Sequence, residues 1–340
     1  MAAIHPPSDP NEFPTTEINR GVLRTIIAAR QCSESKLGIN SVSYWKTGLL
    51  MMASTNDDSI LLFDLEGKQK PKDVMCKKYG VANTIFANDT KFALHSSTKK
   101  DHAIRYISLE TKSYIHYFPG HSENVTGLSI ADGKTLFLSS SIDKTIRLWD
   151  IRSLSCPGVM ETKGQAVAQF DPEGLIFAAA FRNSATIKLY DLRNFKHGPF
   201  LSFALPEDLT NVEWRSVRFS QEGRLMLICT NSNKLVLLDA RTGAVQWILE
   251  AHKNDANLPL VASFSPDSKY VFVGSSDKLI YAYCTTTGKT VCKYHTPHSA
   301  TPTIVEWNPV FLSFISAEKS MVLWNPESED RVVECQTPIY

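Results

Sequence analysis

An all-β fold, a seven-bladed β-propeller closed into a ring, is predicted by three observations. A strand–turn–strand unit recurs seven times, its period is close to constant, and a spare apolar segment precedes the first copy. The sharpest copy is Ser139-Ser140-Ser141-Ile142-Asp143-Lys144-Thr145-Ile146-Arg147-Leu148-Trp149-Asp150, where Ile146, Leu148 and Asp150 alternate with Arg147 and Trp149. A period of two marks a strand whose two faces meet different surroundings. With the bulky residue at the Trp149 position as anchor, the copies fall at Phe63, Ile107, Trp149, Tyr190, Leu238, Tyr283 and Trp324. Their spacings are 44, 42, 41, 48, 45 and 41 residues. A repeat of about 40–45 residues is the length of one four-stranded blade.

Each copy carries its upstream strands. The apolar runs 125–130 and 135–139 are separated by Asp132-Gly133-Lys134, and equivalent turns are Asp171-Pro172-Glu173-Gly174, Gln221-Glu222-Gly223 and Pro266-Asp267-Ser268. Asp57, Asp101, Asp143 and Asp277 stand three residues before Ile60, Ile104, Ile146 and Ile280, and Ser184, Ser232 and Glu318 take that place in the other copies. A short acceptor there is expected to hydrogen-bond the backbone of its own turn.

Ring closure has a candidate in residues 21–30, where Val22, Leu23, Ile26 and Ile27 precede the first full repeat. This segment is expected to supply the outer strand of blade seven, so that no inner edge is left open. Deleting residues 22–29 should then give aggregating protein. The expected organisation is a flexible proline-rich arm over 1–20 (Pro6, Pro7, Pro10, Pro14), one propeller over 21–326 and a polar tail over 327–340.

Composition excludes several function classes. A formal charge of +1 gives no global drive toward nucleic acid or an acidic membrane, so neither sequence-specific nucleic-acid binding nor a membrane role is expected. No apolar leader core occupies residues 1–20, and the seven cysteines form no CxxC pair, which fits a reducing compartment inside a cell.

Blade three alone holds the complete polar set of a WD repeat: His121, Ser139, Asp143 and Trp149. A His–Ser–Asp set also suggests a hydrolase. Here it lies within one repeat frame, without a Gly-x-Ser-x-Gly elbow around Ser139, and is read as a structural tetrad. Residues 127–135 imitate a P-loop with one residue too many, on a strand-to-strand turn. Cys292, His295 and His298 have metal-like spacing but no adjacent fourth ligand, and are read as a blade-edge cysteine followed by surface histidines. No catalytic residues, metal or cofactor are therefore expected.

Positive charge concentrates around blades one and two. Lys77, Lys78, Tyr79, Lys99, Lys100 and Arg105 are the candidate contacts for an acidic or phosphorylated segment, because Lys and Arg pair well with phosphate. Arg152 and Arg193, in Asp150-Ile151-Arg152 and Asp191-Leu192-Arg193, offer an alternative. They resemble the WDxR motif of propellers that act as substrate receptors for cullin-type ubiquitin ligases.

More specifically, Lys77-Lys78-Tyr79-Gly80-Val81, residues 104–109, Tyr117-Phe118-Pro119-Gly120-His121, residues 143–152, residues 170–179, residues 188–193 and Gly198-Pro199-Phe200 carry a family resemblance. The chain resembles, from about residue 22 to 324, the Swd-type WD-repeat subunits of COMPASS-like histone lysine-4 methyltransferase complexes. That resemblance implies a nuclear, non-enzymatic adaptor. Its implied partners are a SET-domain histone methyltransferase subunit, a phosphatase-targeting subunit with protein phosphatase 1 acting in transcription termination, and RNA polymerase II with phosphorylated C-terminal repeats. Residues 1–20 and the tail after Pro326 extend beyond the family's compact ends.

Overall fold

The computed structural model describes residues 17–67, 71–131 and 133–327. Seven four-stranded antiparallel sheets follow one another as blades. Their innermost strands are Ile39–Tyr44, Ala82–Phe86, Val125–Ile130, Ala166–Phe170, Trp214–Phe219, Ser263–Phe264 and Ile304–Trp307. The pattern behind the prediction is visible in packing. In the third strand of blade three, Thr145–Asp150, Ile146, Leu148 and Trp149 are buried while Thr145, Arg147 and Asp150 stay partly open. Apolar side chains of adjacent sheets interlock, as where Ile187 and Leu189 of blade four join Trp214, Val217 and Met226 of blade five.

The turns between second and third strands share one backbone geometry in blades one, three and six. Asp58, Lys144 and Lys278, each just after the turn aspartate, hold φ of 64°, 63° and 62°. Asp101, Asp143 and Asp277 accept from the backbone N–H two residues on, at 3.2, 2.9 and 3.3 Å. Asp57 differs, accepting instead from the Ser35 hydroxyl in the loop entering its own blade.

The outer strand of blade seven is Ile26–Glu34, antiparallel to Ser320–Pro326, with Ile26 opposite Pro326 and Glu34 opposite Ser320. Closure is as expected, but the strand starts later than residue 21. Arg20–Arg24 is a helical turn, because the Asn19 side chain caps it by accepting from the Val22 N–H at 3.0 Å. Leu23 is fully buried beneath it, and the Leu23 carbonyl accepts from the Tyr294 hydroxyl at 2.8 Å. The expected arm is also shorter on this side: Ile18 packs into the core of blades six and seven, and Glu17 pairs with Lys269 at 2.9 Å. The rest of that arm and residues 328–340 of the tail lie outside the described residues.

Blade six is the irregular one. Its innermost strand has two residues, and Val261 makes an isolated parallel bridge to Ile304 of blade seven. Arg218 of blade five reaches past it to Glu306 of blade seven, NH1 to Oε1 at 2.6 Å.

Candidate functional site

The six residues of the basic cluster come together where the loop entering blade two meets the turn between that blade's second and third strands. The entering loop is a tight turn, with the N–H groups of Tyr79 and Gly80 both donating to the Cys76 carbonyl, at 3.1 and 2.9 Å. The Tyr79 carbonyl in turn accepts from Thr98 and Lys99 at 3.0 and 2.8 Å, which stitches the two loops together. Gly80 permits the approach: its φ is +70°, and a Cβ there would sit 1.9 Å from the Thr98 hydroxyl.

Tyr79 is the centre of the cluster. Its ring faces the Arg105 guanidinium at 3.5 Å, with the Lys78 and Lys100 ammonium groups 4.9 and 6.0 Å from the ring centre. Tyr114, from the outer strand of blade two, packs edge-on against Tyr79 at 5.4 Å. Hydrogen bonding to Lys78, with the charges of Lys78, Arg105 and Lys100, draws the Tyr79 hydroxyl below its ordinary pKa against a smaller opposing effect of burial.

Arg105 departs from expectation. It is 4% exposed, so it cannot itself present charge to a partner. NH2 bonds Asp101 at 2.6 Å, while Nε and NH1 take no hydrogen bond among the described residues and lie between aromatic rings. Cation–π attraction in a dry setting replaces those bonds, so Arg105 positions Tyr79 from beneath. Lys99 is engaged by Asp58. Lys77, Lys78 and Lys100 are exposed, leaving these three ammonium groups and the Tyr79 ring as the accessible part.

The alternative pair lies at the opposite ends of the strands. Arg152 and Arg193 follow the third strands of blades three and four, and both are exposed. Arg193 is folded back onto Asp191 through Nε and NH2, at 3.2 and 3.0 Å.

In blade three the Trp149 indole donates to the Ser139 hydroxyl at 2.8 Å, and Ser139 meets His121 Nε2 at 2.6 Å. His121 Nδ1 meets Asp143 at 2.7 Å. Burial would raise the Asp143 carboxyl, but Thr145 and His121 outweigh it and hold the pKa at about 2. The order of contacts is that of a hydrolase triad, yet Ser139 is 1% exposed and its oxygen already accepts the indole. An acyl substrate has no approach to that oxygen.

A second, partial set went unread in the sequence. His298 Nε2 meets Ser316 at 2.7 Å, and the Trp324 indole donates to Ser316 at 2.8 Å. His298 is therefore an interior residue and not one of a pair of surface histidines; only His295 is exposed. Its signal was available, because His298 precedes Ser316 by the same 18 residues that separate His121 from Ser139. In blade six Tyr283 replaces the tryptophan, its hydroxyl accepting from the His252 N–H at 2.8 Å.

Seven blades with an internal His–Ser–Trp staple and a closing strand from the start of the chain define a WD-repeat propeller. The family model described as WD domain, G-beta repeat matches residues 112–150 and 243–283, which run from the outer strands of blades two and five through the first three strands of blades three and six. WD repeat-containing protein 82 of Drosophila melanogaster is 39% identical over 309 residues, covering 91% of this chain and 97% of that protein. Set1 complex component swd2 of Schizosaccharomyces pombe is 30% identical, covering 84% and 92%. COMPASS component SWD2 of Saccharomyces cerevisiae is 27% identical, covering 83% and 89%. The chain belongs to the family of WD repeat-containing protein 82 and Swd2.

Proposed function

We propose that this chain is a non-catalytic adaptor subunit of a COMPASS-type histone lysine-4 methyltransferase complex in the nucleus. Support comes from two relatives, named as a Set1 complex component and a COMPASS component, that align with most of their length. The observation that carries a binding role is the stitched loop pair, which fixes an aromatic ring among exposed ammonium groups on a rigid ring of blades. This surface suits a phosphorylated or acidic peptide: the ammonium groups meet the anion and Tyr79 packs on its flank. In the proposed complex that peptide is the phosphorylated C-terminal repeat of RNA polymerase II. A SET-domain subunit and a phosphatase-targeting subunit with protein phosphatase 1 are the proposed protein partners.

The test is fluorescence anisotropy with polymerase repeat peptides, serine-phosphorylated or unmodified. The phosphorylated peptide should bind more tightly, and Lys78→Glu with Lys100→Glu should weaken it by roughly tenfold or more. Equal binding of both peptides, or an unaffected double variant, would remove the proposed site. The ligase-receptor reading rests on Arg152 and Arg193. It predicts recovery of ligase subunits from nuclear extract, lost when both arginines are replaced.

A further inference from the structure

The basic loop pair borders a strip of apolar residues that face water. The outer strand of blade two, Tyr114–Phe118, is the free edge of its sheet, and Tyr114, Ile115 and Tyr117 are 37%, 50% and 59% exposed. A register shift at Ile115 sets where the two tyrosines point. Tyr117 stands opposite Arg105 and Tyr114 opposite Ile107, two residues along the neighbouring strand, so both tyrosines lie on the face of the sheet that carries Arg105. In a regular strand, residues three apart would point to opposite faces.

Tyr79 packs on that same face. The Tyr114 ring meets the Tyr79 ring edge-on at 5.4 Å, and the Arg105 guanidinium lies 3.5 Å from the centre of one and 5.8 Å from the centre of the other. Tyr79, Tyr114 and Tyr117 thus form a shelf of phenol rings, with the exposed Lys78 and Lys100 ammonium groups beside Tyr79 at one end. The backbone of this edge is poorly suited to pair with an added strand. The bulge at Ile115 interrupts the ladder, and Pro119 follows the strand with no N–H to donate. Recognition therefore falls to the side chains. Tyrosine rings held in a row accept the apolar rings of proline, and a polyproline II segment arrives already extended, so little of its freedom is lost on docking.

We propose that the shelf reads a proline next to the phosphorylated residue, so that blade two takes a phosphoserine–proline segment, with Tyr117 selecting the proline. This rests on the loop pair being a phosphopeptide site. It adds a second requirement that charge alone does not impose, and places it on the outer strand and not on the lysine loops.

Four labelled peptides of equal length separate the two requirements in anisotropy titrations of the full chain: serine or phosphoserine, each followed by proline or by valine. The phosphoserine–proline peptide should bind most tightly, and valine in place of proline should weaken it by roughly threefold to tenfold, as for loss of one ring contact. Tyr117→Ser should bring the phosphoserine–proline peptide down to the level of the phosphoserine–valine peptide and leave the latter unchanged. Tyr117→Phe, which keeps the ring, should preserve the preference. A proline preference that survives Tyr117→Ser would overturn the assignment. Valine binding more tightly than proline would mean strand addition at the edge, and would overturn it too. A phosphate preference without a proline preference would remove this inference alone, whereas no phosphate preference in any peptide would remove the loop-pair reading and this inference with it.

Discussion

At the scale of single residues, the molecule repeatedly uses one buried polar chain to pin a loop to a blade. In blade three the chain runs from Trp149 through Ser139 and His121 to Asp143, every member satisfied by the next. Trp149→Phe keeps most of the ring but removes the indole donor, leaving the buried Ser139 oxygen short of a partner. It should lower stability by about 1–3 kcal/mol in urea unfolding. Unchanged stability would show that the indole N–H contributes nothing there. The tetrad was legible because its members occupy fixed places in a repeat frame. The environment of Arg105 was not: its burial depends on Tyr79 from the entering loop and Tyr114 from the outer strand, and no local pattern announces that meeting.

At the scale of elements, the seven-fold period survived poor local signals because each blade's strands are held by neighbours on both sides. Blade seven illustrates this, for Trp324-Asn325 is a loose anchor in sequence yet Trp324 sits buried against Phe314 and Tyr294. Residues 21–24 were misread as strand because Val22 and Leu23 are apolar on either period, and the cap from Asn19 decides the matter locally. Removing residues 26–34 strips the outer edge from Ser320–Pro326 and exposes its backbone groups. Such a deletion should elute as oligomers in size-exclusion chromatography, where the intact chain is expected to run as a monomer. Gly80→Ala is the matching test of the loop pair. It should weaken peptide binding with the lysines untouched, since the added methyl group drives the entering loop off Thr98.

At the scale of the whole molecule, four imidazoles are buried among the described residues: burial lowers the pKa of His95, His252 and His298 to about 4, and lowers that of His121 against the pull of Asp143. In the unfolded chain His95, His252 and His298 protonate near pH 6.5, so between about 6.5 and 4 the unfolded state binds protons at these positions that the folded state does not. Stability should therefore fall as pH drops through that window, by up to about 3 kcal/mol per histidine. Melting temperatures measured from pH 7 to pH 4 should decline steadily, and a flat profile would show that these side chains are not held neutral. Asp143 acts in the same direction but lower, between about pH 4 and pH 2, where its carboxyl is protonated in the unfolded chain and still ionised in the folded one.

The strand exchange in blade seven has a consequence for the chain as a line. Ile26 and Pro326 face each other across a ladder, so the ring's integrity at that point depends on hydrogen bonds and packing and not on a peptide bond. The ring is thus indifferent to where its covalent thread is cut. Circular permutants that join the two ends by a flexible linker and open the chain in a surface turn of another blade should fold to the same shape.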